Sequence, residues 1–200
     1  MIDLTSFKAI IFDMDGTLID SMAAHIDAWE AACEAFGYPF DRDFHYSLGG
    51  VPSEATVHLM NQRYAMTHPA SEVAHVKKLA FEKQSFLPPV IQDTLSIFNH
   101  YKNQMPIAVG TGADREHATV VLNHHGILPQ LTTLVTADDV KKGKPDPETF
   151  LRAALEMGIE PEKCVVFEDT EMGKQAALDG GMACIMVENG RVVGDIARKS

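Results

Sequence analysis

Two aspartates stand two residues apart in Ile11-Phe12-Asp13-Met14-Asp15-Gly16-Thr17, immediately after an apolar, β-branched run. Carboxylates at i and i+2 in a loop leaving a strand can approach one reacting centre, and Gly16 permits the tight turn this needs. An Asp-Gly pair also closes strands with no chemistry attached, so the segment is ambiguous alone. Three other segments bear on it. Val109-Gly110-Thr111-Gly112 offers a hydroxyl and backbone N–H groups suited to phosphate oxygens. Lys141-Lys142-Gly143-Lys144-Pro145 precedes a helix expected from Pro147, with Lys141 and Lys142 read as solvated charges. Glu168-Asp169 ends another apolar run, where Asp169 is also a candidate helix N-cap.

Two acidic pairs, a hydroxyl and a lysine converging on one edge define a chemistry. Crowded carboxylates repel unless a cation holds them, and hard oxygen ligands favour Mg²⁺, the cofactor expected here. A phosphate would complete its shell, with the metal and lysine offsetting charge during transfer.

These residues need a scaffold that brings them together. Short buried-strand runs are expected at Ala9–Phe12, Ile107–Val109, Thr133–Thr136, Cys164–Phe167 and Ala183–Val187. Helical patterns at Glu116–His124, Pro147–Met157 and Glu171–Asp179 alternate with them, and Gly126, Gly158 and Gly180-Gly181 fall at their C-terminal ends. Alternation of this kind predicts an α/β fold with a doubly wound parallel sheet, whose ligands bind outside the carboxyl ends of the strands. The stretch between the first two strands is too long for one crossover. Ser21–Phe36, Pro52–Tyr64 and Ser71–Lys83 read as helices, Leu87-Pro88-Pro89 as a hinge-like return, and Gln92–Tyr101 as the true crossover. The expected domains are therefore a core of residues 1–18 and 89–200 and an inserted helical cap of residues 19–88.

At 200 residues with 46% hydrophobic content the chain can build a real core. Its net charge of −11 disfavours nucleic acid, and an anionic substrate must be drawn in by a local positive site. No apolar run reaches the roughly 18 residues of a membrane span. The three cysteines, Cys33, Cys164 and Cys184, form no metal or redox pair. With no signal-peptide pattern at the N-terminus, a cytoplasmic protein with a small-molecule partner is expected. Oligomeric state is unreadable, and a monomer is compatible.

Taken in order, Asp13-x-Asp15-Gly16-Thr17, Thr111, Lys144-Pro145 and Glu168-Asp169 resemble the four motifs of the haloacid dehalogenase superfamily. The insertion resembles the helical cap of its subfamily I, which holds β-phosphoglucomutase and many sugar phosphatases. The resemblance implies a Rossmann-like core and the following roles. Asp13 is the nucleophile and Asp15 the general acid/base. Mg²⁺ is held by Asp13, the Asp15 backbone carbonyl and Asp169, with Glu168 acting through a water. Thr111, Gly112 and Lys144 bind the transferred phosphoryl group.

Within the superfamily, dehalogenation needs neither the metal nor a second carboxylate, and both Asp15 and Glu168-Asp169 are present. Asp20-Ser21-x-x-x-His25-x-x-x-Trp29 resembles the opening of the β-phosphoglucomutase cap. His25 is expected either to touch Asp15 or to pack on Trp29, and Trp29 to lie in the cap core. In Leu48-Gly49-Gly50-Val51-Pro52-Ser53, Gly49 and Ser53 stand where that mutase has a lysine and an arginine. Ala113 and Asp114 likewise replace a hydroxyl and a lysine after Thr111. Gly50 and Ser53 are thus candidate substrate contacts in the cap, and the pattern is similar to fructose-1-phosphate/6-phosphogluconate-type phosphatases. The expected activity is Mg²⁺-dependent hydrolysis of a small phosphorylated metabolite through an aspartyl-phosphate. The alternatives are a phosphosugar mutase and a non-catalytic binding module on the same fold. His124-His125 is read as a surface helix end rather than a metal site.

Overall fold

The structure is a computed structural model and describes residues 2–84 and 87–199; Ser85 and Phe86 of the expected insertion lie outside them. Six strands form one sheet: β1 Ala9–Phe12, β2 Ile107–Gly110, β3 Thr133–Val135, β4 Cys164–Glu168, β5 Ala183–Glu188 and β6 Arg191–Ala197, in the order β3-β2-β1-β4-β5-β6. The first five strands are parallel. β6, which periodicity did not predict, runs antiparallel to β5 at the edge. Asn189 and Gly190 join the two at positive φ, the geometry of a two-residue hairpin turn.

Successive side chains of β1 point to opposite faces, and both faces are covered. Ile10 and Phe12 pack with Ile97 and Phe98 of α5 (Gln92–Tyr101) and Val121 and Leu122 of α6 (Arg115–His124). Ala9 and Ile11 pack with Phe150 and Ala154 of α7 (Glu148–Met157) and Ala176 of α8 (Glu171–Asp179). Each fully buried Ile or Phe stabilises the core by about 1.5–3 kcal/mol. The interior of β1 is therefore apolar up to Phe12, and the first carboxylate appears one residue later, at the sheet edge.

Among the described residues, four helices lie between β1 and α5: α1 Met22–Phe36, α2 Arg42–Ser47, α3 Ser53–Tyr64 and α4 Ala70–Glu82. α2 was not expected; Asp41 caps it, accepting from Phe44 N–H at 3.0 Å. Trp29, Cys33, Val57, Met60 and Val73 give these helices an apolar cluster of their own. The chain enters and leaves them through adjacent segments: Asp20 N–H donates to Pro89 O and Ile91 N–H to Leu18 O, each at 2.8 Å. His125 is more than a surface helix end, since its Nε2 bonds Pro88 O at 2.8 Å and ties α6 to this return. All three cysteines are buried and free. Among the described residues, no helix is long and apolar enough to cross a membrane.

Candidate active site

The strand order switches at β1. The chain fills one side of it with β2 and β3 and then crosses to β4 and β5, which leaves a crevice at the carboxyl ends of β1 and β4. Asp13 follows β1, its N–H donating to Phe167 O at 2.9 Å. Lys144 arrives from the loop before α7 and donates to Asp13 Oδ1 at 2.5 Å and Glu168 Oε1 at 2.7 Å. Glu168 is held on its other oxygen by the Thr170 N–H (2.6 Å) and hydroxyl (2.8 Å). Gly173 is required by this arrangement, because a Cβ there would fall 1.9 Å from Glu168 Oε1. The helix cap is Thr170, which accepts from Gly173 N–H at 3.1 Å, and not Asp169 as the sequence suggested. Asp169 is thereby released to face the crevice.

Oxygens of Asp13, Glu168 and Asp169 lie within 4.8 Å of one another. One lysine cannot balance three carboxylates. Burial, with the charges of Glu168 and Asp13, pushes Asp169 up to about 9. Asp13 rises to about 7, by burial first, against the pull of Lys144. Burial disfavours the charge on Lys144, but Asp13 and Glu168 outweigh it and raise its pKa. Asp169 Oδ1 accepts from the Thr17 hydroxyl at 3.2 Å, whereas Oδ2 is buried with no hydrogen-bond partner among the described residues. A Cβ at Gly16 would lie 2.2 Å from that same oxygen. An orphaned carboxylate oxygen, two carboxylates beside it and a glycine keeping the approach clear fit a hard divalent cation.

Asp15 is held differently. Its Oδ1 accepts from the Ser21 hydroxyl at 2.5 Å and from His25 Nε2 at 3.2 Å. Ser21 precedes α1 but makes no side-chain cap, its hydroxyl being spent on Asp15. Lys77 Nζ, from α4, donates to His25 Nδ1 at 2.9 Å, which assigns the remaining proton to Nε2 and directs it at Asp15. Burial opposes the charge on Asp15, yet His25, His117 and Ser21 hold its carboxyl below the ordinary range. Burial lowers Lys77 to about 8, with Asp15 and Asp114 opposing the fall. His25 stacks on Phe81 at 4.4 Å, while Trp29 lies in the insertion's cluster against His45.

Thr111 is buried after β2, and its hydroxyl accepts from Ala113 N–H at 3.1 Å. Gly50, at φ +79°, presses its carbonyl onto Gly112, where a Cβ would sit 2.2 Å from Gly50 O. Pro52 covers Gly143 in the same way. The loop of residues 48–53 thus lies over the crevice, and Ser53 lines it together with His25 and Lys77. Lys141 and Lys142 are solvated; their backbone N–H groups donate to the Glu148 carboxylate. Lys77 and His117 were not anticipated, because their relation to Asp15 is made across α4 and α6 and leaves no local pattern.

The family model of the haloacid dehalogenase-like hydrolases matches residues 10–187. The chain is 34% identical to the fructose-1-phosphate phosphatase of Escherichia coli over 189 residues, 90% of this chain and 96% of that one. It is 30% identical to the β-phosphoglucomutase of Bacillus subtilis over 195 residues, 92% and 84% of the two chains. A solved structure, a putative β-phosphoglucomutase from Bacteroides vulgatus, superposes with a TM-score of 0.82 at 27% identity, covering 92% of this chain and 76% of that one. On sequence and on architecture alike, the chain belongs to the haloacid dehalogenase-like hydrolases, as a phosphoric monoester hydrolase of that family.

Proposed function

We propose that the protein is a Mg²⁺-dependent phosphatase of small sugar or polyol phosphates, fructose 1-phosphate among them, working through a phosphoryl group carried on Asp13. The observation that carries this reading is the buried Lys144 joining Asp13 to Glu168 beside the unpartnered oxygen of Asp169. Lys144 fixes Asp13 Oδ1 and so leaves the other carboxylate oxygen to attack phosphorus in line. Thr111 and the backbone around Gly112, with Lys144, face the transferred oxygens, where fixed donors stabilise developing charge. Asp15 is ionised in the free site; an entering phosphate dianion raises its affinity for a proton, which it takes up from solvent. It then protonates the leaving oxygen, and afterwards takes a proton from the water that hydrolyses the intermediate. Asp13, the Asp15 carbonyl and Asp169 would hold Mg²⁺, with Glu168 acting through a water, and the metal would supply Lewis-acid neutralisation of the phosphoryl oxygens. The helices α1–α4, residues 19–88, would act as a cap that closes over the substrate and excludes water.

A mutase must clamp a second phosphate. Gly49, Ser53, Ala113 and Asp114 offer no cation. Lys77 is engaged by His25, and Lys78 by Asp114 (3.2 Å) and Glu116 (3.4 Å). Neither lysine of α4 is left over, which favours water as the acceptor. The test is phosphate release from a panel of sugar and polyol phosphates, with and without Mg²⁺. Release should stop in EDTA and return with Mg²⁺, with Ca²⁺ a poor substitute. Given β-glucose 1-phosphate and β-glucose 1,6-bisphosphate, formation of glucose 6-phosphate faster than phosphate release would overturn the phosphatase reading.

A further inference from the structure

We infer that His117 is a specificity-determining residue of this phosphatase, its Nε2 hydrogen-bonding a hydroxyl of the alcohol that leaves with the oxygen protonated by Asp15. The inference rests on the phosphatase reading and names how the leaving group is recognised.

His117 sits in the first turn of α6, where its backbone N–H is capped by Asp114 Oδ1 at 2.8 Å. Its ring is set edge-on against Phe81 at 5.0 Å and near-edge to His25 at 6.1 Å. Phe81 in turn stacks on His25. The three rings form a bracket whose members come from α6, α4 and α1, so the His117 ring is fixed by packing. Its Nε2 is buried and has no hydrogen-bond partner among the described residues. Buried polar nitrogens are rarely left so, because an unpaired one has lost its water without gaining a partner. A ring nitrogen of His117, one of His25 and a carboxylate oxygen of Asp15 lie within 4.8 Å of one another, which puts the fixed His117 ring beside the proton-transfer carboxylate.

The space around it fits a polyol. A cleft of about 560 Å³ runs between α4 and α6 and carries His25, Lys77 and His117 on its wall. His25, Lys77, Ser53 and Gly112 line both this cleft and the crevice above Asp13. A phosphate held at Lys144 and Thr111 therefore has its alcohol directed past Asp15 toward His117. A site built to bond a substrate hydroxyl discriminates steeply against esters that lack one, because its own polar group is then left unpaired.

The experiment compares fructose 1-phosphate with p-nitrophenyl phosphate, whose leaving group carries no hydroxyl beside the ester oxygen. His117→Leu should lower kcat/KM on fructose 1-phosphate, or on whichever hydroxylated ester the wild type turns over fastest, by about tenfold to a hundredfold. The loss on p-nitrophenyl phosphate, which reads only the effect of His117 on the Asp15 carboxyl, should be at least about fivefold smaller. His117→Gln, which restores a polar nitrogen at similar reach, should recover most of the loss. Binding is read separately in an Asp13→Asn background. There, adding His117→Leu should weaken fructose 1-phosphate and leave inorganic phosphate unchanged. Equal losses on both esters, or none on either, would overturn the inference, as would unchanged fructose 1-phosphate binding in the double variant. Failure of the wild type on every ester would instead strike the phosphatase reading, and the binding comparison would still judge His117.

Discussion

Lys144 is fully buried with carboxylate oxygens at 2.5 and 2.7 Å, so the charge least suited to a protein interior is held at its reacting end. Such a charge is tolerated only because it is doubly paired, and removing a partner leaves the rest uncompensated. Asp13→Asn keeps the shape and the hydrogen-bonding capacity of the site but supplies neither a competent nucleophile nor a good metal ligand. It should reduce kcat by far more than tenfold, which is only about 1.4 kcal/mol of barrier, with the circular dichroism spectrum unchanged. A variant keeping a tenth of wild-type turnover would exclude covalent catalysis by Asp13. Asp15→Asn should slow turnover by about 10²–10⁴-fold, the usual contribution of general acid–base catalysis. Since the expected metal contact of Asp15 is its carbonyl, the Mg²⁺ concentration for half-maximal activity should stay within about threefold. A large rise in that concentration with an intact chemical rate would exchange the roles of Asp13 and Asp15. At this scale the sequence shows the groups that stand at strand ends and conceals those that act through tertiary contact. Asp13, Asp15, Thr111 and Glu168-Asp169 are legible because each stands at the end of an apolar run, and Lys144 because it lies in a basic stretch just before a helix. Lys77 and His117 sit inside amphipathic helices that look ordinary until α4 and α6 are brought together.

The loop between α2 and α3 reaches the sheet edge through a backbone carbonyl and a proline ring. Gly50 O rests on Gly112, Pro52 on Gly143, and Gly49 against Thr170, where a Cβ would approach the Thr170 methyl to 2.8 Å. A side chain at 112 must therefore displace this loop, although nothing in the sheet itself is disturbed. Gly112→Ala should lower kcat/KM on sugar phosphates by about tenfold or more by holding the cap open. The melting temperature should stay within about 2 °C, and inhibition by inorganic phosphate should change by less than about threefold. Full activity would show that turnover does not require this loop seated on Gly112. The helices and strands around the loop were readable to within one or two residues, since long apolar faces and C-terminal glycines such as Gly158 mark them. The exceptions have physical reasons. α2 is six residues long, too short for a periodic face, and its stability comes from the Asp41 cap. β6 is an edge strand carrying Arg191 and Gly194, so it lacks the buried alternation that reveals a central strand. Thr170 supersedes Asp169 as the cap because Asp169 faces Thr17 instead.

For the molecule as a whole, three crowded carboxylates against one lysine would make a bound cation a component of stability. Asp169 is raised to about 9 and Asp13 to about 7, burial being the first cause of each. A carboxyl whose folded pKa lies above its unfolded value binds more protons in the native state. Unfolding then releases protons, and stability falls as pH rises between the two values. The metal-free protein should therefore lose stability progressively from about pH 4, with the penalty complete only above about pH 9. A net charge of −11 adds a general repulsion to any such curve, so the informative quantity is the difference made by the metal. On the proposed reading Mg²⁺ would bind the ionised cluster in the native state alone and stabilise it by mass action. The gap in melting temperature between protein in Mg²⁺ and protein in EDTA should widen from pH 5 to pH 9, exceeding about 5 °C at the upper end, where roughly 2–4 °C corresponds to 1 kcal/mol for a chain of this size. Asp169→Asn removes the carboxyl raised furthest while leaving Lys144 paired to Asp13 and Glu168. Its EDTA curve should be flatter than the wild type's, and its response to Mg²⁺ weak at every pH. Melting temperatures followed by circular dichroism across that range test this directly. A gap that stays constant with pH, or that survives intact in Asp169→Asn, would mean that the cation sits elsewhere than between Asp13 and Asp169.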